Sequence, residues 1–541
     1  MQPFRPKPVY IADSFMLPVG KYDGKHRDNK SFFELITSLH SFIDQASIDR
    51  REIDAVIVGS QNPFAFNQVD NVAAKVAGAL GISGVKSILI DTASSSGASS
   101  FEEAYLEVAS GRHENVLTIG VQKMSDTPTE NATNIIAGVI DREEAEFGLT
   151  MPACGAMVAK SIMAEFGLSA DEWTRYSARL SERAHHYSAR NPEAHFQQEL
   201  TTEKYYDDIK RGRNSLYFDP LRYHDFCPMS DGLAACLLTS RPQDVLVAGV
   251  GAGTDIPTIA DRRTFTTFPA TVRALRYTLG MAGLKNLQAL EGKVHVNMHD
   301  PFNGFGPVNL VDLGVVPREQ MLDALLDERI TGRTGRFPTN LTGGLKGRGH
   351  PLGATGMIQI VENHRMIRDG KLEAGLSHSI GGPINNNVVV LLERTGHHEQ
   401  RKPFPYYPAR DKLPVLSPMK PNGINLETLF ARKKEVTARL VSSTTRHNFR
   451  GEKPLNSLLL FSAKIEKNEY RFLTAVDPQA LHSLLPLEPG DRITLQRHDD
   501  HITINDIPVR RFYRKTVAGI MELADTTFRR FKTGRKEHED R

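Results

Sequence analysis

Asn340-Leu-Thr-Gly-Gly-Leu-Lys-Gly-Arg-Gly-His350-Pro-Leu-Gly353 is the stretch on which the reading of the fold turns. Its five glycines suit a tight loop, or a backbone that passes close to another group. Pro351 fits the first position of a helix, which puts His350 at a helix N-terminus. Positive charge is disfavoured there, so His350 is expected to stay neutral and to serve as a base or hydrogen-bond donor. A glycine-rich surface loop with an incidental capping histidine would read the same way.

Around this stretch the chain alternates short β-rich runs with helical patterns from about Pro8 to Glu393, the mark of an α/β class. Asp54–Gly59, Lys86–Asp91, Val116–Val121, Val245–Gly251, Lys293–Met298 and Asn387–Leu392 read as strands. Gln68–Leu80 and Ala98–Ser110 read as helices, the second stopped by Gly111. Arg142 to about Met229 is more polar and helical, as an insertion folded over the sheet would be.

Three more segments carry candidate chemistry. In Asp91-Thr-Ala-Ser-Ser-Ser-Gly97, small residues between a strand and a helix let backbone amides converge on negative charge. Ser100 and Glu103 also fit a capping box, the purely structural reading of that segment. His299-Asp-Pro-Phe302 follows a strand, where α/β sheets line their ligand crevices. In Ser377-His-Ser-Ile-Gly-Gly-Pro383, Gly381 and Gly382 allow amides to turn toward an oxyanion.

Together, and in this order, the four segments resemble the thiolase superfamily, in particular sterol-carrier-protein-type thiolases and thiolase-like proteins with an added C-terminal domain. Gly120-Val-Gln-Lys-Met-Ser125, Met151-Pro-Ala-Cys-Gly-Ala-Met157 and Cys227-Pro-Met-Ser-Asp-Gly232 support the likeness, which covers about residues 5–395. The resemblance implies a duplicated five-layer α-β-α-β-α core with a helical loop-domain insertion. It also implies an acyl-CoA ligand, no cofactor beyond that thioester, and no metal. Carried onto this sequence, Ser94 takes the nucleophile position and His350 that of the histidine that activates it. His299 matches the sterol-carrier-type histidine, and Ser379 the second, acid/base cysteine. Ser94 with Gly381, and His299 with His350, match the two oxyanion holes. Phe302, Gly349, Gly382 and His378 fall at substrate-binding positions.

Both catalytic cysteine positions therefore hold serine. A cysteine thiol, with a pKa near ~8.5, supplies some thiolate at neutrality, whereas a serine hydroxyl needs an adjacent base. Acyl transfer from thioester to Ser94 runs downhill, so its return to CoA would be slow. Three functions fit: a Claisen-type acyl-CoA acyltransferase using Ser94, which is the preferred reading; a retro-aldol lyase without a covalent intermediate; and a non-catalytic acyl-CoA-binding subunit.

The expected division is residues 1–255 for the first thiolase half, with the loop domain at about 126–229, and 256–395 for the second. A linker at 396–424 and a β-rich unit at 425–541 follow. In that unit a charged helix is expected near Leu426–Leu440, with strands at Leu458–Ala463, Tyr470–Ala475, Arg492–Arg497, His501–Ile504 and Val509–Tyr513, then a helix at Val517–Lys532. The family pairs through the sheet edge beside the nucleophile strand, so a homodimer is implied, or a monomer if the added unit covers that edge.

Composition limits the alternatives. Among 541 residues the net charge is +3, so a nucleic-acid partner is not implied. Cys154, Cys227 and Cys236 form neither a disulfide framework nor a zinc pattern, and buried structural thiols in a reducing cytoplasm are expected. No apolar run reaches the ~18 residues of a membrane span, and the start lacks a signal core.

Overall fold

Ala55-Val-Ile-Val-Gly59 is buried at every position, as only a strand covered on both faces can be. The computed structural model describes residues 6–262, 264–396, 401–403, 435–447, 454–465, 468–476, 489–497, 502–505 and 507–509. Its core strands are β1 (Tyr10–Met16), β2 (Ala55–Gly59), β3 (Lys86–Ile90) and β4 (Asn115–Gln122). A short hairpin, β5 (Leu216–Phe218) and β6 (Leu221–Arg222), precedes β7 (Gly232–Thr239). Then come β8 (Val245–Thr254), β9 (Val294–Asn297), β10 (Ala374–Gly381) and β11 (Asn386–Arg394).

Nine of these strands pair in the order β3-β2-β4-β7-β1-β8-β11-β10-β9. β1 meets β8 only through Tyr10 and Leu246, so the path divides into two half-sheets. Helices Ser96–Ala109 and Thr355–Arg368 pack between them, in one core with Ile57, Val116 and Cys236 of the first half and Val247, Val250 and Val390 of the second. Because side chains alternate along a strand, Val56, Val58 and Leu117 point the other way, onto helices Phe32–Thr37 and Val72–Ala79. Val294, Leu376 and Val389 likewise meet helices Pro269–Met281 and Phe305–Asp312. The result is the expected α-β-α-β-α stack.

The structure corrects several expectations. β8 pairs along its length with β11, so the halves separate at the turn between β7 and β8 and not at residue 255. The helix after β3 begins at Ser96. Ser100 donates to the Gly97 carbonyl inside that helix and Glu103 accepts from Lys86, so they form no capping box.

The loop domain holds helices Met151–Phe166, Ala170–Ser188 and Thr202–Lys210. Thr150 and Ser169 cap the first two, the latter in a box with Glu172. The appended strands are β12 (Glu435–His447), β13 (Pro454–Ile465), β14 (Asn468–Val476), β15 (Arg492–Arg497), β16 (Ile502–Ile504) and β17 (Ile507–Val509). They pair in the order β14-β13-β12-β15-β16-β17, and β14 and β17 approach each other, curling the sheet toward a barrel. Residues 435–440 are strand, not helix, because Val436, Ala438 and Leu440 alternate inward. The expected helix Val517–Lys532, and most of the 396–424 linker, lie outside the described residues.

This sheet docks on the loop domain. Arg446 of β12 pairs with Phe218 of β5, and the Ser442 hydroxyl donates to the Met157 carbonyl at 3.2 Å. Its described strands therefore do not cover β3, which stays at the sheet edge with Leu89 39% exposed.

Candidate active site

The glycine-rich loop is stapled to the end of β9. Asn340 Oδ1 accepts the Met298 amide at 2.8 Å, and Asp300 Oδ1 accepts the Leu345 amide at 2.7 Å. Gly343 and Gly344 take left-handed angles, φ +106° and +58°, to make the bend. These ties bring His299 and His350 together, ring centroids 4.9 Å apart and planes at 89°.

Both rings are buried, 2% and 7% exposed. Burial pushes His350 down to about 3, and the nearby Arg348 guanidinium adds to the effect. His299 lies well below the usual imidazole range, through burial first and then His350, His378 and Arg348. The expected neutrality of His350 is present, but desolvation causes it rather than a helix N-terminus. Pro351 is the cap of a short turn at Leu352–Ala354, not a first helical residue. His350 Nδ1 pairs with the Thr355 hydroxyl at 2.8 Å, while His299 Nδ1 is buried without a partner among the described residues.

Ser94 lies in a sharp turn after β3. Its predecessor Ala93 has φ +57°, which an L residue rarely adopts. Asp91 accepts the Ala93 amide, and Ser96 donates to the Ala93 carbonyl, so the turn is held by its own serines and aspartate. The Ser94 hydroxyl donates to Gln61 Oε1 at 3.4 Å and not to His350. Gln122 Oε1 accepts both the Gln61 amide, at 3.0 Å, and the Gly353 amide, at 3.2 Å. Two glutamines thus join the Ser94 turn to the His350 loop.

Gly381 ends β10 directly against that turn: a methyl group on it would press on the Thr92 carbonyl and the Ser95 hydroxyl. The Ser94 turn with Gly381 and the His299–His350 pair are thus linked through Gln61, Gln122 and Gly353.

The chain matches the family model for the thiolase N-terminal domain over residues 9–242 and that for the thiolase C-terminal domain over 251–394. An acetyl-CoA acetyltransferase of Methanothermobacter thermautotrophicus is 32% identical over 383 residues, 67% of this chain and 95% of that one. The chain belongs to the thiolase family. At that level it is an acyltransferase-type protein. Sterol carrier protein 2 of Bos taurus is 27% identical over 349 residues, 59% of this thiolase and 61% of that protein. Among solved structures, a monomeric SCP2-thiolase-like protein type 1 from Mycobacterium smegmatis superposes with a TM-score of 0.67 at 18% identity, covering 92% of this chain and 99% of its own. The Ltp2-ChsH2(DUF35) aldolase gives 0.58 at 20% identity over 72% and 99%. Both share the thiolase fold.

Other expected site residues are placed differently. Ser379 faces the central helices, its hydroxyl buried beside Gly356 without a partner among the described residues. His378 points from the opposite face of β10 and pairs with Thr271 at 3.0 Å, so it touches the site only through its electrostatic influence on His299. Gly349 is enclosed by Val19, Ser230 and His195, which leaves a substrate no room there. Phe302 is 5% exposed in the apolar cluster with Phe226 and Phe305, making it wall rather than contact surface. Gly382, φ +58°, does line an open crevice.

Cys154 and Cys236 are fully buried, while Cys227 lies beside the His299 segment, its amide donating to the Pro301 carbonyl at 2.9 Å. Burial raises the thiol pKa of Cys154 and Cys236, and pushes that of Cys227 up to about 12. Among the described residues no helix is long and apolar enough to cross a membrane.

Sequence reading missed Gln61, Gln122, Thr355 and Ser230, whose hydroxyl accepts the His350 amide at 3.3 Å. Ser230 and Asp231 were in view within Cys227–Gly232. Asp231 collects the amides of Tyr22, Met124 and Ser125, which fastens that segment to Gly120–Ser125.

Proposed function

We propose that this thiolase binds an acyl-CoA thioester and holds its carbonyl oxygen at His299 and His350, so that a carbon–carbon bond beside that carbonyl is cleaved or formed through an enolate. The perpendicular pair of buried, neutral imidazoles carries this reading. A neutral imidazole in a dry site donates to a developing oxyanion without giving up its proton.

The retro-aldol direction suits the residues present. Removing a proton from carbon calls for a strong base, and Ser379 is a poor one. Cleaving a 3-hydroxyacyl thioester instead begins at an O–H. The β-hydroxyl gives its proton to a water molecule, the α–β bond breaks to give a carbonyl product, and its electron pair becomes the enolate, which takes that proton back at the α-carbon. The Ltp2-ChsH2(DUF35) aldolase, which shares the fold, lends support. The CoA thioester is the substrate, and the scheme uses no further cofactor.

Acyl transfer through Ser94 is the second reading. It is favoured by Gly381 packed on the Ser94 turn, where two amides could hold a tetrahedral oxyanion, and by the acetyl-CoA acetyltransferase relatives. Mass spectrometry of the intact protein after incubation with acyl-CoA separates the two. Cleavage without an adduct, retained in Ser94→Ala, supports the lyase; an acyl adduct abolished by Ser94→Ala supports transfer.

A further inference from the structure

An open crevice of about 670 Å³, its mouth included, lies beside the Ser94 turn, within the size range of small-ligand sites. Ala93 and Gly382, the chain neighbours of Ser94 and Gly381, form part of its wall. Val139 of the loop domain, Asp255 beyond β8, and Asn385 and Asn386 at the start of β11 form the rest of the surface that matters here.

Asp255 is the one charged residue in this lining, and its carboxylate is paired with Arg262 at 3.1 Å. Arg262 also donates to the Pro383 carbonyl at 2.7 Å, which fixes that wall. The lining therefore awaits no counter-charge. By contrast, neither the Asn385 nor the Asn386 carboxamide has a hydrogen-bond partner among the described residues. Each offers a donor and an acceptor, and covering one with hydrocarbon forfeits those hydrogen bonds.

We infer that the crevice receives the part of the acyl group beyond the reacting carbons and selects neutral oxygenated chains, bearing hydroxyl or keto oxygens, over saturated hydrocarbon. This rests on the acyl-CoA reading and names the substrate class for it. Asn385 and Asn386 supply the hydrogen bonds, while Ala93 and Val139 contact the intervening carbons.

Calorimetric titration of the full chain with CoA, octanoyl-CoA and ω-hydroxyoctanoyl-CoA tests it. The hydroxylated thioester binds about tenfold tighter than octanoyl-CoA, the equivalent of one good hydrogen bond. The double variant Asn385→Leu, Asn386→Leu loses that preference and keeps CoA affinity. Thr254→Trp, an exposed position at the crevice, weakens both acyl thioesters and leaves CoA alone. Equal or tighter binding of octanoyl-CoA by the native chain, or a preference that survives the double substitution, overturns the inference. Failure of CoA itself to bind overturns the acyl-CoA reading and this inference with it; CoA binding without the preference overturns the inference alone.

Discussion

Replacing Thr355 with valine removes one hydroxyl and leaves the shape of the side chain nearly unchanged. That hydroxyl is the partner of His350 Nδ1 at 2.8 Å, and both residues are buried. The loss leaves a ring nitrogen without a partner in a dry site, which costs about 1–3 kcal/mol of stability. It also frees the imidazole to rotate away from the position in which it is proposed to polarise the thioester. If half to all of the lost energy falls on the transition state, turnover drops about 2- to 160-fold, or about 0.5–3 kcal/mol. Thr355→Ser keeps the hydroxyl and should recover most of the rate. The assay is kcat and KM for cleavage of a 3-hydroxyacyl-CoA, with thermal melting in parallel. CoA affinity should hardly change, so the effect appears in kcat. Full activity in Thr355→Val would refute the view that this hydrogen bond sets the His350 ring.

Gly381→Ala puts a carbon closer than 3.0 Å to Thr92 and Ser95, so the Ser94 turn must shift; a stability loss of about 1–3 kcal/mol is expected by thermal melting. Acidification should lower the melting temperature. His295 and His364 near 4, with His350 and His378 near 3, sit below the ordinary imidazole value. Their stabilisation is complete above about 6.5 and is lost as the pH falls from there toward 3. Asp300 and Asp312, raised to about 6, and Glu144, raised to about 7, run the opposite way and offset part of the loss; a melting temperature at pH 5 equal to that at pH 7 would contradict the balance. Pairing of two copies through β3, the arrangement proposed by resemblance, should be abolished by Leu89→Lys at that exposed edge, read by sedimentation; a monomeric native chain would contradict it.

The ordered motifs made the core, and the residues it gathers around the His299–His350 pair, legible before any coordinates, because close backbone approaches and motif histidines leave recognisable letters. Gly381, His299 and His350 are of that kind. β7 and β10 were not legible. Every residue of β7 is buried, which erases the alternation that marks a half-exposed strand. β10 carries Ser377, His378 and Ser379, polar letters that read as loop although all are buried. Gln61 and Thr355 act through one hydrogen bond each, and such bonds depend on chain segments far apart in sequence. The cause of the neutral His350 was likewise invisible, since burial is a property of the assembled fold.

Isotope-edited infrared spectroscopy of a bound thioester, labelled with carbon-13 at its carbonyl, tests the central claim most directly. Polarisation by the two imidazoles lowers the carbonyl stretching frequency on binding to the native chain, with the shift kept in Ser94→Ala and largely lost in His299→Ala and His350→Ala. An unshifted band in the native complex, or one shifted equally in the histidine variants, would contradict it.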